Sequence, residues 1–171
     1  MALTTDKIAY GTYTAMTVTN LQSLAYDSTD PYGSWQSDIV DNRTTLAIDY
    51  EVAIFLSTAA SAPAEDKAGY IYVCPWVHTG AAWLHVGGFG TTTAPTGSEG
   101  TASVSDPNSM RGPYSLPYKI TSQGLRGFIS IASMCSGIVP DGWSLAIRNH
   151  TGANFSTGCV VAYRAISFTN S

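Results

Sequence analysis

The chain has 171 residues, a formal net charge of −4 and only 12% charged residues. That length favours a single domain, large enough to bury a core without disulfides or a metal. The usual charged share is about 25%, so neutral polar groups must cover most of this surface. The acidic balance argues against a general nucleic-acid binder, which needs a basic patch. We expect no secretory leader, because the opening MALTTDKIAYG has no basic start, and no membrane helix of about 20 apolar residues.

The N-terminal part of the chain mixes polar and strand-like stretches. Residues 1–14 are polar and punctuated by tyrosine, and we predict an N-terminal arm or an edge segment there. Residues 17–26 alternate loosely and predict a first strand. Residues 27–34 (DSTDPYGS) have the Asp, Pro and Gly of a turn, and residues 35–40 predict a short strand.

Residues 45–57 are the strongest strand signal in the chain. In the stretch TLAIDYEVAIFL, large apolar residues alternate with a second set that includes Asp49 and Glu51. A period of two is the signature of a β-strand with one buried face. We therefore predict a central core strand, whose buried face consists of Ile48, Tyr50, Val52, Ile54 and Leu56.

The middle of the chain changes character. Residues 59–67 predict a connection with one helical turn, 68–77 a strand that is apolar on both faces, and 82–86 a short strand. Residues 87–113 are rich in Gly, Ser, Thr and Pro and contain few large apolar residues. They predict a long loop, and a loop of this length inside a compact domain is usually functional or disordered.

Strand-like runs return after the predicted loop, and in one of them Trp143, Leu145 and Ile147 occupy alternate positions. The runs lie at 114–120, 126–134, 142–149 and 159–168. No segment has the helical period of 3.6, and many short strands with regular turn signals predict an all-β, single-domain β-sandwich. We expect a jelly roll of about eight strands over 15–171, preceded by the arm at 1–14.

Asp49 and Glu51 are the first candidates for chemistry. At i and i+2 on one strand they share a face about 7 Å apart, which could fit the two carboxylates of a glycosidase. Such pairs normally come from different strands that face each other across a groove. The polar face of a core strand is the better interpretation, so we expect no enzyme; a glycan-cleaving enzyme is the alternative.

Histidines, cysteines and aspartates give no complete metal site. His78 and His85 could meet across a hairpin, but two histidines do not close a zinc site. Three cysteines without a CxxC pair imply neither zinc nor a disulfide framework, and Cys74 and Cys135 should be buried thiols. The acidic residues lack the spacing of a calcium loop and are better candidates for turn capping: Asp27, Asp30, Asp38 and Asp41. We expect no catalytic, metal or cofactor site.

Asparagines and aromatic residues are the remaining candidates. The sequons at Asn42, Asn149 and Asn154 are best explained by chance in a chain rich in Asn and Thr. Most aromatic residues fall at alternating apolar positions, so core packing is the default. Residues in or beside the arm and the loop are the predicted partner contacts: Tyr10, Tyr13, Phe89, Met110 and Tyr114.

Four stretches resemble the small structural proteins of tailed-bacteriophage virions that decorate or cement capsids. They are GSWQSDIVDN, LAIDYEVAIFLSTA, AEDKAGYIYVCPW and IVPDGWSLAIRNHTGA. The motif positions are 35–42, 49–52, 65–72 and 140–152. The resemblance spans about 34–165, without the arm and the loop, and its motifs are structural rather than catalytic.

The resemblance implies a jelly-roll-like sandwich that forms a homotrimer and staples neighbouring subunits of the major capsid protein. It places the protein on the capsid surface of the virion, after synthesis in the host cytoplasm. We expect neither nucleic acid nor membrane as a partner. Because related proteins also occur in phage tails, the alternative is a carbohydrate- or receptor-binding sandwich, which would expose a row of aromatic rings on one face.

Overall fold

The computed structural model describes residues 6–26, 33–59, 68–85, 97–103, 110–117 and 124–170. Within these ranges the chain folds into twelve β-strands and one short α-helix. The strands are β1 (Asp6–Tyr10), β2 (Thr14–Ala15), β3 (Gly33–Gln36), β4 (Val40–Asp41), β5 (Asp49–Ser57), β6 (Ala68–His78), β7 (Trp83–His85), β8 (Gly100–Ser103), β9 (Arg111–Pro117), β10 (Gly124–Ser130), β11 (Gly142–His150) and β12 (Val160–Asn170). The helix is α1 (Ile131–Met134), and a 3-10 turn spans Leu21–Ser23.

The strands form two antiparallel sheets that pack face to face. Sheet A has the order β1-β12-β5-β10, and β2 also pairs with β12. Sheet B has the order β7-β6-β11-β3-β8, with β9 beside β6 and β4 beside β11. The shared core includes Val52 and Leu56 from sheet A and Ile71 and Leu145 from sheet B. The predicted all-β sandwich is confirmed, with more and shorter strands than the eight expected.

The predicted core strand lies at the centre of sheet A. Residues of β5 alternate between buried and partly exposed along its whole length, and its even-numbered residues face the core. Ile48 is the exception, because it lies in a bend before the strand begins and its side chain is 38% exposed. The alternation therefore holds only from Asp49 onwards, and the prediction for Ile48 is wrong.

β11 and β6 form the long central pair of sheet B. Trp143, Leu145 and Ile147 point into the core, as their alternation predicts. The ring of Trp143 packs against Tyr50 of sheet A at a centroid distance of 5.3 Å. Aromatic pairs of this kind contribute about 0.5–1.5 kcal/mol beyond their area burial, so this contact helps to hold the two sheets together.

Three local predictions near strand ends are wrong. Residues 17–26 contain the 3-10 turn and no strand. Leu21 and Leu24 are three residues apart, and a helical turn buries both on one side. The predicted strand at 35–40 is split between β3 and β4, and the one at 126–134 ends where α1 begins.

The predicted long loop at 87–113 contains regular structure. β8 pairs with β3 in sheet B, and β9 already begins at Arg111. The β8 sequence GTAS has no large apolar residue, so periodicity could not reveal a strand there. Phe89 lies outside the described residues, as do 27–32 and 60–67, where most of the predicted turn and helical connection fall.

Polar residues of the quoted motifs hold turns together. Asn42 Oδ1 accepts a hydrogen bond from the Tyr50 hydroxyl at 3.0 Å. Asn149 Nδ2 donates to the carbonyls of Leu24 at 3.1 Å and Ala153 at 2.9 Å. Both asparagines are buried, so neither of these two sequons can hold a glycan in the folded state.

Candidate partner interface on the outer face of sheet A

The side of sheet A that points away from sheet B carries exposed apolar side chains, and we call it the outer face. Odd-numbered residues of β5 lie on it, together with their partners on β10 and β12, because side chains alternate between the two faces of a strand. The large apolar residues exposed on this face are Ile8, Tyr10, Tyr13, Phe128, Val160 and Phe168. Such grouping distinguishes them from single exposed apolar residues, which need no explanation.

The N-terminal segment borders the outer face as an edge strand with a bulge. Tyr10 pairs with Ile166, whereas Thr14 pairs with Tyr163. From Tyr10 to Thr14 the N-terminal segment advances four residues, while β12 advances only three between their partners. The N-terminal segment therefore contains a β-bulge with one extra residue. Of the two predictions for the N-terminal arm, the edge segment is correct for β1.

The bulge places two tyrosines on the same side of the sheet. Residues three apart on a regular strand point to opposite faces, but the extra residue brings Tyr10 and Tyr13 together on the outer face. The guanidinium of Arg164 lies 4.7 Å from the Tyr10 ring centroid and 4.9 Å from the Tyr13 ring centroid. Bulges re-aim side chains in this way next to functional sites.

Glu51 completes this group, which we call the tyrosine–arginine cluster (Tyr10, Tyr13, Glu51 and Arg164). Arg164 Nη2 lies 3.0 Å from Glu51 Oε1, and the Tyr13 hydroxyl donates a hydrogen bond to the same oxygen. That hydrogen bond to Glu51 is the main reason why the pKa of Tyr13 is raised. The hydroxyl therefore remains a donor at neutral pH, and Glu51 is held by two donors within an apolar face.

An apolar groove lies further along the outer face. It has a volume of about 360 Å³, and its lining includes Phe55, Phe128, Val160 and Ala162. The guanidinium of Arg126 lies over the Phe55 ring, 4.9 Å from its centroid. Aromatic residues and arginine are enriched at protein–protein interfaces, so the groove has the composition of a contact surface.

Asp49 does not share the role of Glu51, although it lies two residues away on the same face. Its carboxylate accepts hydrogen bonds from Ser130 Oγ at 2.7 Å and from the backbone N–H of Ala132 at 2.8 Å. Asp49 thereby ties β5 to the start of α1, where N–H groups lack partners within the helix. Both of its oxygens serve the fold, so Asp49 and Glu51 do not form a pair of free carboxylates.

The predicted partner contacts fall in different places. Tyr10 is 58% exposed and Tyr13 is 40% exposed, and both lie on the outer face. Tyr114 is exposed on β9 of sheet B. Met110 is only 3% exposed, because it packs against sheet B with its sulfur 3.8 Å from Cys74 Sγ. Met110 is therefore inaccessible to a partner, and that prediction is wrong.

Five contributors to the outer face were not predicted from the sequence: Ile8, Phe128, Val160, Arg164 and Phe168. The alternation in β12 does carry a signal, since its even-numbered residues from Val160 onwards form one face. Both faces of β12 are largely apolar, however, because Val161 and Tyr163 occupy the inner one. Periodicity alone could not show which of the two faces is exposed.

The tryptophans do not form an exposed aromatic row. Three of the four are buried. The fourth, Trp83, is partly exposed, but the Arg43 guanidinium lies 4.8 Å from its ring centroid and His78 packs edge-on against it at 4.9 Å. The tryptophans therefore form no carbohydrate-binding row, and four exposed aromatic rings lie instead on the outer face of sheet A: Tyr10, Tyr13, Phe128 and Phe168.

Among the described residues, no group of three or more His, Cys, Asp or Glu side chains is placed to hold a metal. His78 and His85 instead pack against tryptophan rings. Asp41 is held by hydrogen bonds from Arg43, which lower the pKa of this carboxyl to about 2. Asp38 accepts a backbone hydrogen bond at 2.7 Å. The two remaining members of the predicted acidic cluster lie outside the described residues.

The chain matches no protein-family model and no curated protein sequence. Within the ranges that the structure covers, no helix is long and apolar enough to cross a membrane. The features that bear on function are therefore the outer face of sheet A and the motifs quoted above.

Proposed function

We propose that the chain is a non-enzymatic structural protein that docks onto other protein subunits through the outer face of sheet A. The observation that carries this proposal is the group of exposed apolar side chains around the tyrosine–arginine cluster. Contiguous apolar patches larger than a few hundred Å² are rare on monomers and mark interaction sites. Tyrosine and arginine are also among the residue types that dominate binding energy at protein interfaces.

The virion of a tailed bacteriophage is the setting we propose, with the chain on the capsid surface and the major capsid protein as its partner. The resemblance across 34–165 supports this setting. The low charge also supports it, since a chain with only 12% charged residues has a mostly neutral surface, which suits permanent contact with other subunits. In this role the chain cements the capsid by bridging neighbouring subunits, and many modest contacts combine through avidity.

Co-sedimentation with capsids tests this proposal. Capsids of the phage that encodes the chain would be assembled without it, mixed with the purified chain and pelleted. We expect the wild type to pellet at a fixed ratio to capsid protein. A wild-type chain that stays in the supernatant at every ratio would contradict the proposal.

Two variants sharpen the capsid experiment. Phe128→Glu should pellet poorly, because it places an unpaired carboxylate in the contact on the outer face. Leu84→Glu makes the same chemical change at an exposed apolar residue of sheet B and should pellet like the wild type. Equal pelleting of both variants would show that the outer face of sheet A takes no part in capsid binding.

A further inference from the structure

We infer that the partner seated on the outer face of sheet A is a second copy of the same chain, related by a two-fold axis that passes near Glu51 and Arg164. The copies then form a dimer, in place of the homotrimer that the resemblance implies. In such a contact the same surface of both copies meets itself. The inference rests on the proposed function, because it names a partner for the face that carries that proposal.

The size of the apolar patch fits a contact between two copies. Four aromatic and two aliphatic side chains on the outer face are between 40% and 64% exposed. With about 150–250 Å² for a whole aromatic side chain, the patch exposes on the order of 500 Å² of apolar surface. Homodimer interfaces are about 65% apolar, so the patch corresponds to a footprint near the roughly 800 Å² per partner of a stable dimer.

The charged residues at the centre of the outer face are also compatible with contact to the same face of a second copy. A two-fold contact brings like residues close together, so a face with a strong net charge repels its own copy. Glu51 and Arg164 form an ion pair and are each partly exposed. Two such pairs placed head to tail across the axis put Arg164 of each copy beside Glu51 of the other, and the four charges alternate in sign.

The other charged side chains described on this face leave no excess charge. Asp49 and Arg126 are one acid and one base, so their formal charges cancel. Asp49 is engaged with donors at the start of α1, and Arg126 lies over Phe55. A partner chosen by opposite charge would need a net potential that this set of side chains does not supply.

A pair of copies also explains how the chain could bridge two capsid subunits. One copy with a single capsid contact decorates one subunit. Two copies joined through their outer faces carry two capsid contacts, and linkage makes the second binding event intramolecular. The outer face then holds the two copies together and each copy contacts the capsid elsewhere, so that Phe128→Glu lowers pelleting by separating the copies and removing this avidity.

Charge-swap variants test the two-fold contact by sedimentation equilibrium. E51R leaves two positive side chains at the centre of the face, and R164E leaves two negative ones. Each variant alone should raise the dissociation constant of the dimer at least about 10-fold, the scale of close interfacial charge pairs. An equimolar mixture should form a dimer again, because each copy then meets opposite charges. The E51R/R164E double variant should associate like the wild type.

Phe128→Glu and Leu84→Glu provide a matched apolar test in the same instrument. Phe128 and Leu84 are similarly exposed, on sheet A and sheet B respectively. Phe128→Glu should be monomeric, whereas Leu84→Glu should dimerise with the wild-type dissociation constant. Since both side chains are exposed, circular dichroism should show the wild-type fold in both variants.

The inference is overturned by a wild type that stays monomeric at all concentrations, by a dimer that persists in Phe128→Glu, or by a charge-swap mixture that does not dimerise. These outcomes are separable from the proposed function. A wild type that is monomeric but pellets with capsids would contradict only the two-fold contact between copies. A wild type that dimerises but does not pellet with capsids would contradict only the proposed capsid binding.

Discussion

The outer faces of the two sheets differ in what covers them. The outer face of sheet B carries Tyr72, Cys74 and Trp76, all of them buried within the chain. On sheet A, Phe128 is 64% exposed and Phe168 is 60% exposed. Among the described residues, the centre of the outer face of sheet B is therefore covered by the chain itself, whereas the outer face of sheet A is open. The open face is the one on which another molecule can replace water at an apolar surface.

Part of this difference is visible in the sequence. The β6 stretch AGYIYVCPWV is apolar at nearly every position, which is typical of a strand buried on both faces. In β5, by contrast, Asp49 and Glu51 alternate with buried residues. A strand that is buried on both faces, such as β6, thus has a continuous apolar sequence. A strand with one exposed face, such as β5, alternates between apolar and polar residues.

The largest effect on stability should come from a residue of the covered face. Trp76 is 3% exposed, and its Nε1 donates a hydrogen bond to Ser144 Oγ at 2.9 Å. Trp76→Ala should lower the free energy of unfolding by about 3–5 kcal/mol, measured by urea denaturation. A loss below about 1 kcal/mol would mean that this face of sheet B is not packed as described.

The two carboxylates of β5 should differ in their contribution to stability, and this difference should be smaller than the effect at Trp76. Asp49→Ala leaves the donors of Ser130 and Ala132 without their acceptor and should lower the free energy of unfolding by about 2 kcal/mol. Glu51→Ala removes a partly exposed ion pair and should cost less than about 1 kcal/mol. Equal losses in the two urea titrations would show that Asp49 has no special role at the start of α1.

Alkaline pH should lower the free energy of unfolding through Cys74, which is buried on the outer face of sheet B. Burial raises the pKa of the Cys74 thiol from 9.0 to about 12. The unfolded chain ionises this thiol near pH 9 while the folded chain keeps it protonated, so its stabilising contribution is complete below pH 9 and is lost as the pH rises towards about 12. From about pH 8 to about pH 10, the wild type should lose about 1 kcal/mol more than Cys74→Ala.

The control for this pH series is the same pair of proteins below pH 8. There the free energies of unfolding of wild type and Cys74→Ala should differ by a constant amount, because the thiol is protonated in both states of the wild type. Parallel losses above pH 9 would show that Cys74 is not shielded from ionisation in the folded chain.

The smallest effect should come from the open face. In the dilute chain, Phe128→Ala should change the free energy of unfolding by no more than about 0.5 kcal/mol, because most of the side chain is already in water. A large loss in dilute solution would mean that Phe128 packs within its own chain. The comparison between the two outer faces would then fail.

Local periodicity was enough to predict the fold class and its central strands. β5 alternates along its whole length and β11 has large apolar residues at three alternate positions, so the core-facing residues of both strands could be named in advance. Met110 was predicted wrongly because its neighbours in sequence are small and polar, while its contact with Cys74 lies far away along the chain. Leu21 was assigned to a strand because a single helical turn is too short to show a period.

The site could be predicted only in part. Tyr10 and Tyr13 stood out as aromatic residues in a polar segment, but the bulge that aligns them with Arg164 depends on pairing with the opposite end of the chain. Glu99 is a second residue whose contacts could not be predicted from the sequence, although it lies outside the site. It accepts hydrogen bonds from Asn20 and from Trp35 Nε1, the latter at 2.7 Å, and no local pattern signals these long-range contacts.

The most direct test of the central claim is hydroxyl-radical footprinting of the dilute chain and of the chain bound to capsids, read out by mass spectrometry. We expect Phe128 and Phe168 to lose reactivity in the assembled state, while Leu84 on sheet B reacts to the same extent in both states. Unchanged reactivity of Phe128 and Phe168 on the capsid would contradict the claim that the outer face of sheet A is the assembly surface.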